Sequence, residues 1–124
     1  MGKKKRVVLI GWNPKVVDYS KWPGLTPEKL TAALEADKNR LNDLGYETSL
    51  LFIEDAETAF GEVKNALDQA SFDCVLIGAG VRTVAEHFIV FERLVNAVHE
   101  SAPNAKICFN TNPGDTAEAV QRWA

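Results

Sequence analysis

The stretch Gly78-Ala79-Gly80-Val81-Arg82-Thr83, followed by Glu86 and His87, gathers small residues, a guanidinium, a hydroxyl and an imidazole in one short segment. Where a strand turns into a helix, backbone amides and the positive end of the helix dipole can hold a phosphate or carboxylate. Arg82 is the natural clamp for such an anion, and His87 is a weak catalytic candidate as an acid, base or hydrogen-bond donor. The same residues also have a plainer reading. The glycines permit a tight turn, Thr83 caps the following helix, and Glu86 three residues later completes a capping box. His87 then lies at the margin of an apolar helical face as a satisfied, half-buried histidine.

Two further segments carry polar groups suited to binding. The first is a loop of fourteen residues, Trp12 to Leu25, with Trp12, Asn13, Asp18, Tyr19 and Trp22 between two prolines and Gly24. A connection that long serves either as a lid or as a self-packed cap on the core. The second is Asn110-Thr111-Asn112-Pro113, which offers amide and hydroxyl groups to a polar ligand and is equally a plain turn. Asp37 falls within an apolar helical stripe, where an unpaired carboxylate is costly. Its distance down the helix predicts a place remote from any strand-end crevice, with an ion pair inside the chain or across a subunit boundary. Cys74 and Cys108 sit in apolar runs and read as small, reduced, buried hydrophobes, although adjacent strands would bring them together as a redox pair.

Several chemistries lack their residues. The dinucleotide fingerprint needs a third glycine where Thr83 stands, belongs in the first β/α turn, and needs an acidic residue about twenty positions on. There is no Gly-x-x-x-x-Gly-Lys-Ser/Thr loop, no Gly-x-Ser-x-Gly elbow and no two-histidine metal motif. A receiver domain's phosphoacceptor aspartate would occupy the place of Gly78, and a flavin-phosphate cradle the place of Trp12-Asn13-Pro14-Lys15. No cofactor and no metal site is therefore indicated. The net charge of −3, with one basic block at Lys3, Lys4, Lys5 and Arg6, argues against nucleic acid. Arg6 stands where a myristoylation signal after Met1-Gly2 wants Ser or Thr. Val7 to Ile10 is too short for a leader or a membrane span, so a cytoplasmic location is expected.

These residues are positioned by alternating elements. Apolar runs at Arg6 to Gly11, Tyr46 to Ile53, Phe72 to Gly78 and Ala105 to Asn110 predict four strands, mostly without alternation, as in a parallel sheet covered on both faces. Thr26-Pro27-Glu28 opens a helix that ends at Leu44 before Gly45. A second helix is expected from about Ala56 to Ala70 with Asp55 as cap, a third from Val84 to Ser101, and a short one from Thr116 to Trp123. The fold class is α/β: one Rossmann-like domain over residues 1–124, a three-layer αβα sandwich on a four-stranded parallel sheet, with 2-1-3-4 as the leading order and 1-2-3-4 left open by periodicity.

Over nearly its full length the chain resembles small bacterial proteins of uncharacterised function with a Rossmann-like or flavodoxin-like fold. The resemblance is carried by Cys74 to Thr83, Glu86-His87-Phe88, Phe91-Glu92 and Ile107 to Thr111, and it implies no particular activity. Two functions are expected. One is a site for a small anionic metabolite, such as a nucleotide or a phosphorylated or carboxylated molecule. It would lie at the strand ends on Trp12, Asn13, Gly80, Arg82, Thr83, His87, Asn110 and Thr111. The other is a homo-oligomeric, dimeric assembly domain. It would be joined through Ile89, Val90 and Ala97 of the third helix or through an uncovered sheet face.

Overall fold

The computed structural model describes residues 4–124; Met1, Gly2 and Lys3, with their part in the basic block, lie outside the described residues. The runs rich in Val, Ile and Leu form four strands: β1 (Arg6–Trp12), β2 (Glu47–Ile53), β3 (Cys74–Ile77) and β4 (Lys106–Phe109). All neighbours are parallel, in the order β2-β1-β3-β4, which decides against the simple order 1-2-3-4. In register, Leu50, Leu9, Leu76 and Cys108 form one row across the whole sheet. Side chains two apart share a face, so Phe52, Gly11 and Gly78 continue that face toward the carboxyl ends.

Helix α1 (Pro27–Asp43) begins as its sequence dictates: the Thr26 hydroxyl accepts from Lys29 N at 3.1 Å, and Pro27 occupies the first turn. Gly45, at φ 102°, supplies the left-handed residue beyond its end. Helix α2 (Ala59–Gln69) starts later than expected. The Asp55 carboxylate accepts from Glu57 N at 2.7 Å, and this local turn holds the chain out of the helix.

The expected third helix is broken. A single turn, α3 (Ala79–Arg82), is closed by the Thr83 hydroxyl, which donates back to the Ala79 carbonyl at 2.7 Å. Val84 is extended, Ala85–His87 make a tight 3-10 turn, and α4 (Phe88–Ser101) follows without a side-chain cap. Thr83 and Glu86 thus form no capping box at the start of a long helix. Helix α5 (Thr116–Trp123) follows a turn in which Asn112 and Asp115 cap each other's backbone.

Helices α2 and α4 cover one face of the sheet, burying Val63, Leu67, Leu94 and Val98 against Val8, Ile10, Val75 and Ile77. Helices α1 and α5 cover the other, with Leu41, Ala117, Ala119 and Val120 against Val7, Leu9, Cys74, Leu76 and Cys108. The inward stripe of α4 is Val90, Leu94, Ala97 and Val98, whereas Phe88 is 60% exposed. Val90 and Ala97 are therefore core residues, not the outward surface expected of them. Its first four residues, Phe88 to Phe91, are all apolar, so spacing there does not select the buried side. No helix among the described residues is long and apolar enough to cross a membrane.

Leu41 is the one residue of α1 that is buried, so it anchors the helix to the sheet. Leu41→Ala is expected to destabilise the domain by about 2–5 kcal/mol, measured by urea denaturation. A loss below about 1 kcal/mol would place the anchor elsewhere.

Candidate functional site

A cavity of about 300 Å³ lies between the amino-terminal half of α1 and the sheet and opens at the strand ends. Leu9, Leu50, Phe52 and Leu76 line it from the sheet, and Leu30 and Leu34 from α1. Its origin is visible in the register. Where β1 ends on this face stands Gly11, and a Cβ there would meet nothing within 4 Å. Gly78 continues the same face beyond β3, so neither central strand puts a side chain beyond the leucine row.

The long first loop covers the mouth. Asn13 caps its first turn by accepting from Lys15 N at 2.9 Å, and Asp18 caps its second by accepting from Ser20 N at 3.1 Å. The Tyr19 hydroxyl donates to the Pro14 carbonyl and ties the two turns together. Val16, Val17, Trp22 and Leu25 face the cavity. The loop is pinned to the opposite bank by Lys21, 3.3 Å from Glu86, an exposed pair of the kind that contributes little.

Six expected site residues line this cavity together: Trp12, Gly80, Thr83, His87, Asn110 and Thr111. The ring centroids of Trp12 and His87 are 4.9 Å apart, and His87 Nδ1 lies 3.3 Å from the Gly80 carbonyl. Trp12 Nε1 is buried without a partner among the described residues, an uncommon state for a strong donor. The other two lie outside the lining. The Asn13 amide donates to Glu54 at 2.8 Å. The Arg82 guanidinium donates to the Asn110 carbonyl and rests 5.6 Å from the Phe109 ring centre, fastening α3 to β4.

The sequence reading misplaced Asp37, which lines the cavity. About 15 Å along α1 from Pro27, Asp37 meets the start of α5. There it accepts a hydrogen bond from the Thr116 hydroxyl at 2.8 Å and makes no ion pair among the described residues. Thr116 in turn accepts from Asn110 Nδ2 at 2.9 Å, and Asn110 Oδ1 accepts from Ala79 N at 2.8 Å. The backbone donor fixes the amide's orientation, so the chain runs in one direction, from Ala79 through Asn110 and Thr116 to Asp37. Asn110 and Thr116 are buried.

Burial pushes the Asp37 carboxyl above its ordinary value of 3.8; the Thr116 hydroxyl and Arg40 oppose the rise, and Asp115 and Glu118 add to it. Asp115, held by the Thr111 hydroxyl and nearby amides, moves the other way. Cys74 and Cys108 are free and buried with their sulfurs 3.4 Å apart on the same side of the sheet. The Cys74 sulfur and burial push the Cys108 thiol up. Among the described residues no cluster of three His, Cys, Asp or Glu is placed to hold a metal. No protein-family model matches the chain, and no curated protein matches it.

A carboxyl whose pKa is higher folded than unfolded binds its proton more tightly in the native state, so stability falls as pH rises from 3.8 through the raised value. Asp37→Asn is therefore expected to be more stable than the wild type at pH 7, with the gap closing as pH falls through that window. Denaturant melts across pH check this; a constant gap, or a less stable variant at pH 7, contradicts the placement of Asp37.

Proposed function

We propose that the domain binds a small, largely apolar molecule in the cavity beneath α1, with the first loop as its lid. The observation that carries this reading is the leucine-floored space of about 300 Å³ at the strand ends. That volume stands at the lower limit of small-molecule sites, which run from about 300 to 1,000 Å³ and are mainly apolar with a few convergent polar groups. Parallel sheets place ligands at this edge, between β1 and β3 in order 2-1-3-4. The resemblance to small bacterial Rossmann-like proteins supports the location only, and the buried free thiols suit a cytoplasmic setting. The expectation of an anionic metabolite rested on the backbone amides of the Gly80 to Thr83 turn, with Arg82 as clamp and Thr83, His87 and Asn110 beside it. The Arg82 guanidinium lies outside the lining, with one nitrogen donating to the Asn110 carbonyl beside the Phe109 ring and its Nε buried without a partner among the described residues, so the leucine floor favours an uncharged or cationic ligand.

Indole is a suitable probe. Its addition is expected to shift the methyl NMR signals of Leu9, Leu50 and Leu76. Gly11→Val should abolish those shifts while stabilising the fold by about 0.5–1 kcal/mol, because a strand glycine gains a β-branched side chain in open space. Shifts confined to Phe88 and Ile89, or binding that survives the filled cavity, would refute the reading.

A second reading, self-association, is favoured by Phe88 and Ile89, adjacent at the start of α4 and 60% and 51% exposed. Sedimentation is expected to show a dimer that Ile89→Lys converts to a monomer. A wild-type monomer at high concentration removes it.

A further inference from the structure

We propose that Asp37 is the polar anchor of this cavity and that the ligand it takes is an apolar amine, its cationic nitrogen seated against the carboxylate. The inference rests on the small-molecule reading above and adds the ligand's charge. Asp37 lines a mainly apolar space, and Thr116 donates to only one of its oxygens, Oδ2. A carboxylate withdrawn from water and left without a cation is costly, and a partner that brings the opposite charge removes that cost.

The surroundings do not supply such a partner. On its own helix, Arg40 is the nearest cation, and it is drawn 3.2 Å from Glu118 of α5. Asp115, ahead of α5, and Glu118 add negative charge from the facing elements. Across the cavity, Lys21 at the mouth is drawn to Glu86 in an exposed pair, His87 lines the space beside Gly80, and Asp18 at the mouth is a second carboxylate. Arg82, the cation nearest the β3 turn, is held on β4. The lining thus presents an apolar floor and an acidic group with no free guanidinium beside it. This pattern discriminates against carboxylates and phosphates and in favour of a protonated amine.

The Asn110-Thr116 chain gives the anchor a fixed position. Asn110 is bound at both ends of its amide, so Thr116 receives one hydrogen bond and has its single hydrogen directed at Asp37 Oδ2. The other oxygen, Oδ1, is left to the ligand. Such pre-set geometry lets a charge-assisted hydrogen bond form without reordering the site.

The experiment compares tryptamine, the uncharged 3-ethylindole and the anionic indole-3-propionate by calorimetry on the full chain, wild type and Asp37→Asn. Tryptamine is expected to bind the wild type about tenfold tighter than 3-ethylindole, equivalent to about 1.4 kcal/mol, with indole-3-propionate weakest. Asp37→Asn should erase that preference while leaving 3-ethylindole within about twofold, a change of roughly 0.4 kcal/mol. The tryptamine preference should also fade as pH falls and Asp37 takes up its proton. Equal binding of all three probes by the wild type, or a variant that weakens 3-ethylindole as much as tryptamine, overturns the anchor while the cavity reading stands. If none of the three binds the wild type, the cavity reading fails and the anchor fails with it.

Discussion

The structure depends on a missing pair of side chains. β1 and β3 are the central strands, and on the face toward α1 they continue past the row of Leu9 and Leu76 into Gly11 and Gly78. On the opposite face the corresponding positions carry Val8, Ile10, Val75 and Ile77, all buried against α2 and α4. One side of the sheet is packed to its carboxyl edge, and the other stops a residue short. An interior normally reaches crystal-like density, so a space of about 300 Å³ means that α1 stands off the sheet over half its length. Leu41 fastens the far end of that helix, and the loop from Asn13 to Leu25 supports the near end.

The polar groups follow from the same geometry. Because α1 stands away from the leucine row, a carboxyl can occupy a helix position that would otherwise demand an aliphatic side chain. Asp37 is tolerated there only because Thr116 donates to it. Thr116 is free to do so because it opens α5, where its hydroxyl is not consumed as a cap and Asn112 with Asp115 manages the preceding turn. Asn110 then joins this chain to the β3-to-α3 turn through Ala79 N. The β3-to-α3 turn, the end of β4, the start of α5 and α1 are thus joined by three consecutive hydrogen bonds. A buried network whose members each have a partner holds a single arrangement, whereas one lost donor leaves a costly orphan. A carboxyl whose pKa is raised in the native state costs stability at neutral pH, and Asp37 carries that cost.

Much of the scaffold was legible from local rules. The leading strand order followed from right-handed crossovers, and the Thr26-Pro27 start and the Gly45 stop of α1 followed from capping chemistry. The strand-end segments at Trp12, Gly80 to Thr83 and Asn110 to Thr111 were legible as candidates because topology sends them to one edge. What escaped was decided by contacts between elements. Arg82 reads as an anion clamp until β4 brings the Asn110 carbonyl and the Phe109 ring beside it. Thr83 reads as a cap for a long helix until its hydroxyl turns back to Ala79 and Val84 becomes extended. The buried side of α4 was ambiguous because Phe88, Ile89, Val90 and Phe91 are consecutive apolar residues. Asp37 was misplaced because counting turns from a helix start does not reveal a cavity that follows the helix down, and this one is lined by Leu30, Leu34 and Asp37 in turn.

An unfilled space next to a lightly held helix also has a dynamic consequence. The first turns of α1 are retained by exposed contacts, the Thr26 cap and the Lys29 ammonium donating to the Gly24 carbonyl at 3.0 Å, and the loop before them by the exposed Lys21 to Glu86 pair together with buried Pro14, whose carbonyl accepts from Tyr19. The opposite half of the molecule, by contrast, is joined through fully buried side chains on α2 and α4. Local opening free energies track buried apolar contact, so the start of α1 is expected to open more readily than α2 and α4. An occupant of the cavity would touch both the leucine floor and this covering layer, completing a core that the protein's own residues leave open. Its binding free energy would then add to the stability of the covering layer in particular, so access to the site and the order of its lid are governed by the same missing side chains.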